Sequence, residues 1–434
     1  MQAGNDKRVR QRVLVFPCGS EVGLEIHRAL SHSTHVELFG ASSVASNHGP
    51  YVFHHYADGL PDVDDAGFVG EIARQAQAWG IDFIFPAHDS VVLKLAQHQE
   101  ELPCPVVTSP VATCEVCRNK RTTYERFRGV VSTPAVYRRD EPGLTFPLFL
   151  KPEVGQSSRG VALAGTRGEL DFWLARNLNL LVLEYLPGPE YTIDCFTDRH
   201  GALRFAGARE RIRIQNGISV DTRRVPGDGF QAMAQRINDT LVFRGAWFFQ
   251  VKRRADGELA LMEIAPRISG GMGLYRNLGV NFALLSVFDR LGRDVHLAAQ
   301  AHDLRMDRAL INRFHLGLTY RQVYIDLDDT LIVDGQVNTL AAAFLFQCRN
   351  RGVKVHLVSR HTGDIDQTLA RHGLTGAFDS VTGLDRLTDK SAAMDAGEAI
   401  FIDDSFAERR QVHEALGIPT FGVDALECLL DWRD

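Results

Sequence analysis

The run Tyr324-Ile325-Asp326-Leu327-Asp328-Asp329-Thr330-Leu331 constrains this chain more than any other stretch. A short apolar strand ends in two carboxylates at i and i+2, with a hydroxyl behind them. Open parallel α/β sheets keep their sites beyond the carboxyl ends of strands, so this spacing sets a nucleophile beside an acid/base. More than 300 residues precede the run, enough for at least one further complete unit. Two chemistries therefore have to be explained.

At 434 residues the chain has room for two to four domains. Its 45% hydrophobic and 24% charged residues are those of an ordinary soluble globular protein. A formal charge of −6 argues against a nucleic-acid or anionic-membrane partner, although local basic clusters remain available for phosphate ligands. The 7 cysteines are scattered and odd in number, which argues against a disulfide framework. Cys114 and Cys117 form a lone CxxC and read as structural. The N-terminus, MQAGNDKRVRQRVLVFPCG, has an apolar run too short for a secretion signal and reads as a tail leading into a first strand. No segment is long and apolar enough to span a bilayer, and a cytoplasmic enzyme is expected.

Residues 12–16 (RVLVF) read as a buried strand, followed by a glycine turn (Gly19, Gly23) and a helix through Leu30. The glycines fit only part of a dinucleotide fingerprint. Strands at 81–87 and 105–107 continue this first α/β unit to about residue 110. Beyond it, FPLFLKP (146–152) is a strand ending in a lysine, and a polar glycine loop follows at 153–160. LLVLEYL (180–186) ends in the breaker Pro187-Gly188-Pro189. GAWFFQVKRRADGELALMEIAPR (245–267) reads as a hairpin turning at Asp256-Gly257. From about 318 the chain alternates strands (323–326, 353–359, 399–403) with helices, as a parallel α/β domain does.

A two-residue loop at 256–257 makes opposing residues sum to 513, so Gln250 faces Glu263 across the hairpin. Two oxygen-bearing side chains about 5 Å apart at Cβ can share a hard divalent cation. Phe249, Val251, Met262 and Ile264 are then expected on the opposite, packed face. Arg267 follows Glu263 closely enough to meet a phosphate, and Lys151 with the loop 155–160 supplies a cation and backbone N–H groups for an oligophosphate. Arg209, Arg211 and Arg213 have period-2 spacing and share a strand face, a candidate surface for phosphate or a substrate carboxylate.

The motifs FLKPEVGQSSRG, VLEYLPGPEYTID, FFQV and LMEIAPRISGG, in this order across roughly 110–315, resemble the ATP-grasp superfamily, notably carboxylate–amine ligases close to carbamoyl-phosphate synthase. The resemblance implies phosphate contacts from Lys120 and Lys151 and from the loop serines Ser157 and Ser158. It implies adenine contacts at Glu184 and Leu186, and ribose at Glu190. Gln250 and Glu263 would hold Mg²⁺ (or Mn²⁺), and Arg267 would meet the transferring phosphoryl group. One position departs from the family pattern: Ala265 stands where an asparagine two residues after the metal glutamate is common. A second ion would then bind more weakly or use substrate oxygens and water.

Downstream of Asp326, Ser359 ends one strand, Lys390 opens a helix, and Asp403-Asp404 end another strand. In a parallel sheet these ends converge, and an acidic cluster of this kind calls for a cation. The order DLDDT (326–330), Ser359, Lys390, Asp403-Asp404 resembles the haloacid dehalogenase (HAD) superfamily. That resemblance implies Asp326 as nucleophile, Asp328 as acid/base, and Thr330, Ser359 and Lys390 on phosphate. Asp326, the backbone of Asp328, and Asp403 or Asp404 would hold Mg²⁺. The roughly thirty-residue gaps on either side of Ser359 leave no room for a cap domain of about 50 residues. Arg360 and Arg409 are read as substrate contacts, and His356 and His361 as structural or surface residues.

The expected fold is α/β throughout. A Rossmann-like pre-ATP-grasp domain (1–110) precedes an α+β ATP-grasp domain (111–318) and a capless HAD-type parallel α/β domain (319–434). The expected function is bifunctional: an ADP-forming ligase that activates a carboxylate as an acyl phosphate for an amine or similar nucleophile, and a phosphatase working through an aspartyl phosphate. Two alternatives stand beside it. One half, with Ala265 pointing to the ATP-grasp half, is a nucleotide-binding regulatory module, or that half is a small-molecule kinase. The expected partners are a carboxylate, an amine and a phosphorylated small molecule, with ATP and Mg²⁺ as cofactors, no nucleic acid and no membrane. A homodimer is compatible with the sequence.

Overall fold

A computed structural model of the protein describes residues 10–155 and 159–433. The expected N-terminal tail and the loop residues Ser157 and Ser158 lie outside these. The chain divides into two compact units between Leu310 and Ile311. Leu316, Leu318 and Tyr320 already pack on the second unit's core, so that unit begins before residue 318. No helix among the described residues is long and apolar enough to cross a membrane.

The first unit opens with a parallel sheet. Strand β1 (Gln11–Phe16) lies between β2 (Val36–Ala41) and β4 (Phe83–Pro86), and β3 (His55–Ala57) lies outside β2. Central parallel strands are covered on both faces, and Val13 through Phe16 are all buried. Helix α1 (Glu21–Leu30) starts where the Ser20 hydroxyl accepts from the Gly23 N–H. Gly23 is required there because a Cβ would lie 2.5 Å from the Cys18 carbonyl oxygen. Helix α2 (Phe68–Trp79) covers one sheet face and α3 (Asp89–Gln97) leaves the end of β4.

The other face of this sheet does not close on itself. Val13 and Ile26 share one core with Phe196, Phe248, Leu274 and Phe282. The expected boundary at 110 is therefore a boundary along the chain and not between cores. The residues expected as a strand at 105–107 make only an isolated bridge, Ile84 to Val106.

Helices α4 (Val111–Arg118) and α5 (Lys120–Phe127) lead to a small antiparallel sheet. Its strands β5 (Val136–Tyr137), β6 (Leu148–Pro152), β7 (Ala162–Ala164) and β8 (Leu180–Glu184) lie in the order β5-β8-β6-β7, and α6 (Arg167–Arg176) packs on it through Leu170 and Leu174. A larger sheet follows, built from β9 (Glu190–Thr197), β10 (Leu203–Gln215), β11 (Ile218–Val225), β12 (Gly245–Arg253), β13 (Leu259–Ala265) and β14 (Arg305–Asp307). Their order is β13-β12-β9-β10-β11-β14, all antiparallel. Helix α7 (Asp228–Thr240) buries Phe230, Met233 and Ile237 against Trp247, Phe249 and Leu261. Helices α8 (Gly273–Arg276) and α9 (Phe282–Arg290) complete the unit.

The second unit is a five-stranded parallel sheet. Its order is β19 (Ser380–Gly383), β18 (Lys354–Ser359), β15 (Gln322–Ile325), β20 (Ala399–Ile402), β21 (Thr420–Phe421). Between β15 and β18 come a short hairpin, β16 (Ile332–Val333) and β17 (Gln336–Val337), and helix α10 (Thr339–Asn350). Helices α11 (Ile365–Arg371), α12 (Phe406–Leu416) and α13 (Leu426–Leu429) cover the sheet. Among the described residues these elements fill both intervals around Ser359, with no inserted cap.

Candidate functional site

The hairpin β12–β13 sets the first site, though by a different route from the turn arithmetic. Next to the loop the pairs are Arg253 with Leu259 and Val251 with Leu261, so opposing residues sum to 512 and the loop spans 254–258. The register shifts between Gln250 and Val251, and Gln250 then pairs with Glu263 as expected. Met262 is the extra residue of this bulge. Its carbonyl, left out of the ladder, accepts from Lys151 Nζ at 3.1 Å and from the Tyr124 hydroxyl at 2.9 Å. Met262 also lines the cavity instead of packing on the far face with Phe249, Val251 and Ile264.

Two adjoining cavities meet here, of about 120 and 340 Å³. Both are lined by Lys120, Gly155, Arg159, Arg211, Gly217, Gln250 and Glu263. The smaller adds Phe149, Lys151, Val161, Glu190 and Met262, so that apolar side chains share its lining with cations and carboxylates. The larger adds Glu21, Asp89, Arg118, Arg209, Arg267, Ser269, Gly270, Gly271 and Arg308. One wall of it therefore comes from the N-terminal ends of α1 and α3.

Burial pushes the Lys151 ammonium down to about 7 and also lowers that of Lys120, whose Nζ donates to the Gly155 carbonyl at 3.1 Å. Arg267 makes a two-point pair with Asp89 at 2.6 and 2.9 Å, over the Phe248 ring. Burial opposes both charges, yet the pair outweighs it, holding Asp89 at about 2 and Arg267 above its usual value. No hydrogen bond or ion pair to Glu263 forms among the described residues, and Gln250 Oε1 accepts from Arg211 Nη1 at 2.6 Å. This is a donor set suited to a hard cation, with both oxygens on one face of the hairpin.

Other expectations shift. The arginine series does not share one environment, because the β10–β11 register slips on either side of Arg213. Arg209 is buried against Asp194 and Ser269, and Arg211 joins Glu190, Gln250 and the Gly217 carbonyl. Arg213 is half exposed and pairs with Asp307, so it leaves the candidate site. Glu184 and Leu186 line neither cavity. The Glu184 carboxylate is held by Arg254 and by the Ala135 N–H. Ala265 is buried and lines the larger cavity. Cys114 and Cys117 are buried on α4, and burial raises both thiols, so neither is poised as a thiolate.

In the second unit the strand ends converge. Lys390 Nζ lies 2.7 Å from Asp326 and 2.6 Å from Asp403. Asp326, Asp403 and Asp404 offer carboxylate oxygens within 4.8 Å of one another, a fit for one divalent ion. Burial raises the carboxyls of Asp326 and Asp403, the latter to about 6, against the pull of Lys390. Burial also opposes the Lys390 charge, but the two carboxylates outweigh it. The buried Ser359 hydroxyl lies beside the Asp326 carboxylate but makes no well-formed hydrogen bond among the described residues, which suits it to a phosphate oxygen. Thr330 accepts from the Asp404 N–H at 3.0 Å.

Arg360 is not turned toward a substrate. It pairs with Glu408 and donates to the carbonyls of Asp385 and Thr388, tying down the loop that delivers Lys390. Arg409 donates to the carbonyls of Asp403 and Asp404. The Asp328 carboxylate is held by His361 and is not one of the carboxylates that converge within 4.8 Å. The sequence reading of His361 as a structural or surface residue left this contact with Asp328 unforeseen.

Residues 176–311 match the family described as ATP-grasp in the biosynthetic pathway with Ter operon. No curated protein matches the sequence. Among solved structures, biotin carboxylase from Campylobacter jejuni is 12% identical with a TM-score of 0.55, over 67% of this chain and 74% of its own. The ADP complex of N5-carboxyaminoimidazole synthetase from Staphylococcus aureus is 15% identical with a TM-score of 0.57, over 71% and 85%. L-amino acid ligase from Bacillus licheniformis is 17% identical with a TM-score of 0.52, over 65% and 74%. These likenesses, which cover about two thirds of the chain, show an ATP-grasp-like fold over that part of it.

Proposed function

We propose that the chain is a bifunctional enzyme: an ATP-dependent, ADP-forming carboxylate ligase in its first unit and a HAD-type phosphomonoester hydrolase in its second. The observation that carries the ligase reading is the junction of the two cavities at Gln250 and Glu263. A nucleotide slot opens there into an arginine-lined chamber of a size for a small acceptor. The similar structures from C. jejuni and S. aureus are described with a β,γ-ATP ligand and with ADP.

Lys151 and Lys120 face the phosphates, Glu190 the ribose, and Arg267 the transferring phosphoryl group. An Mg²⁺ ion held by Gln250 and Glu263 would neutralise phosphate charge. A carboxylate oxygen of the acceptor attacks the γ-phosphorus as the bond to ADP breaks. The amine then attacks the acyl carbon, phosphate departs and the amine loses a proton. Walls from α1, α3 and the 269–271 loop limit water at the acyl phosphate. A carboxylate, and not an alcohol, is favoured because Arg118 lines the chamber with no carboxylate partner among the described residues, while Arg209, Arg267 and Arg308 pair with Asp194, Asp89 and Glu21.

In the second unit Asp326 attacks phosphorus and Asp328 protonates the departing oxygen. Asp328 then takes a proton from the water that releases phosphate from Asp326. Lys390 and Ser359 hold phosphate oxygens. Mg²⁺ on Asp326, Asp403 and Asp404 would offset the negative charge gathered there.

The test incubates the full chain with Mg-ATP and pools of amino and hydroxy acids, following ADP and phosphate in wild type, Glu263→Ala and Asp326→Asn. ADP release that needs both a carboxylate and an amine, disappears in Glu263→Ala and survives in Asp326→Asn is the expected result. ADP release with a single acceptor and no amine would replace the ligase by a kinase. Nucleotide binding without any turnover would leave only a regulatory module.

A further inference from the structure

The second unit holds a histidine for which the chemistry above has no use. His361 leaves the end of β18 two residues after Ser359. Its Nδ1 lies 2.9 and 3.0 Å from the two carboxylate oxygens of Asp328. Its Nε2 lies 2.9 Å from the Thr368 hydroxyl on α11. Thr368 is itself anchored, donating to the Asp364 carbonyl at 3.0 Å, and Asp364 caps that helix by accepting from the Gln367 N–H. The His361 side chain is only 16% exposed, while that of Asp328 is 51% exposed. A solvent-facing aspartate is thus fastened, through one partly buried ring, to a capped helix.

We propose that His361 is a positioning residue for Asp328. It holds the carboxyl at the angle from which it gives its proton to the leaving oxygen, and Thr368 fixes the ring. The inference rests on the phosphatase reading. In the step concerned, Asp326 forms a bond to phosphorus while the bond from phosphorus to the leaving oxygen breaks. The Asp328 proton goes to that oxygen, which departs as an alcohol, and Asp328 is left as a carboxylate. His361 touches neither phosphorus nor the leaving oxygen. Beside the pair lies an open cavity of about 570 Å³, lined by Asp328, His361, Thr368, Arg371 and His372, with room for the leaving group. An acid that swings freely by an ångström can lose on the order of 10²-fold in rate, so a side chain that fixes it matters.

A purely structural role, tying the loop after β18 to α11, would slow all substrates alike. Positioning of a general acid does not. A poor leaving group such as an alkoxide needs the proton, whereas 4-nitrophenolate departs with little help.

The experiment measures kcat/KM of the full chain with Mg²⁺ on ethyl phosphate and on 4-nitrophenyl phosphate, for wild type, His361→Ala, His361→Asn, Thr368→Val and Asp328→Asn. His361→Ala should lose about 10- to 100-fold on ethyl phosphate and several times less on the aryl ester. His361→Asn, which can place an amide N–H near the position of Nδ1, should recover most of that loss, and Thr368→Val should fall between. In an Asp328→Asn background, adding His361→Ala should change the rate by no more than about twofold. Equal losses on both esters, or full additivity with Asp328→Asn, would overturn the assignment while leaving the phosphatase standing. If His361→Ala unfolds, the Asn and Val variants carry the same comparison. A wild-type chain that cleaves neither ester, or an Asp326→Asn variant as active as wild type, removes the phosphatase reading and this inference with it.

Discussion

The Lys151 ammonium has the Met262 carbonyl at 3.1 Å and the Tyr124 ring face at 5.4 Å for company, and almost no water. Burial brings its pKa to about 7. A lysine depressed in the folded state penalises folding below that pH, where both states carry the charge but only the native one is desolvated. As pH rises through about 7 the native state loses its proton first, so stability climbs until the unfolded lysine titrates near pH 10.4. Phosphate oxygens beside Nζ would reverse the balance and call the proton back. Nucleotide binding at pH 8 should therefore take up protons, visible by calorimetry in buffers of different ionisation enthalpy. Lys151→Met should abolish that uptake and weaken Mg-ATP binding by about tenfold or more. An unchanged uptake in the variant would show that another group is responsible.

At the level of elements, the hairpin β12–β13 shows both what pattern reading delivers and where it stops. The pairing of Gln250 with Glu263 follows from alternation and an Asp-Gly turn, yet the turn is longer and a bulge at Met262 restores the register. Two departures cancel, and the bulge then serves the site by freeing a carbonyl for Lys151. Local signals carry strand positions well, as with residues 12–16 or the run to Asp326, because burial on both faces imposes an apolar run. They do not carry contacts between distant segments. Arg360 reads as a substrate contact until Glu408 and the 385–388 carbonyls are seen around it. Arg213 shares a period with Arg209 until the β10–β11 register slips. His361 has no sequence signal separating a surface ring from one that grips Asp328. If Gln250 and Glu263 act as one cross-strand unit, Gln250→Ala and Glu263→Ala should each lower ATP turnover by about 10²-fold or more, and the double variant should be little worse than the weaker single. Multiplicative losses in that cycle would mean that the two side chains work apart.

For the whole molecule, the two units have separate cores, since no residue beyond Leu310 enters the clusters of the first and none before it those of the second among the described residues. Separate cores imply separate cooperative transitions unless an interface couples them. At about 0.7 kcal/mol per residue, residues 1–310 should unfold with roughly 220 kcal/mol and residues 311–434 with roughly 85 kcal/mol near 60 °C, so calorimetry should resolve two peaks of unequal area. Ligands identify them. Mg-ATP at about 100 times its Kd adds about 2.7 kcal/mol to the unit that binds it, moving the larger peak up by about 4 °C and leaving the smaller in place. Glu263→Ala should abolish that shift without moving the smaller peak. The sign for the second unit follows from its cluster. Asp326, Asp403 and Asp404 crowd within 4.8 Å, with Lys390 paired to the first two, so Mg²⁺ alone should raise the smaller peak. Chelation should lower it again, and Asp403→Asn should make it insensitive to both. If a single peak responds to every ligand, the two units share one folding transition, and the second depends on the first for its stability.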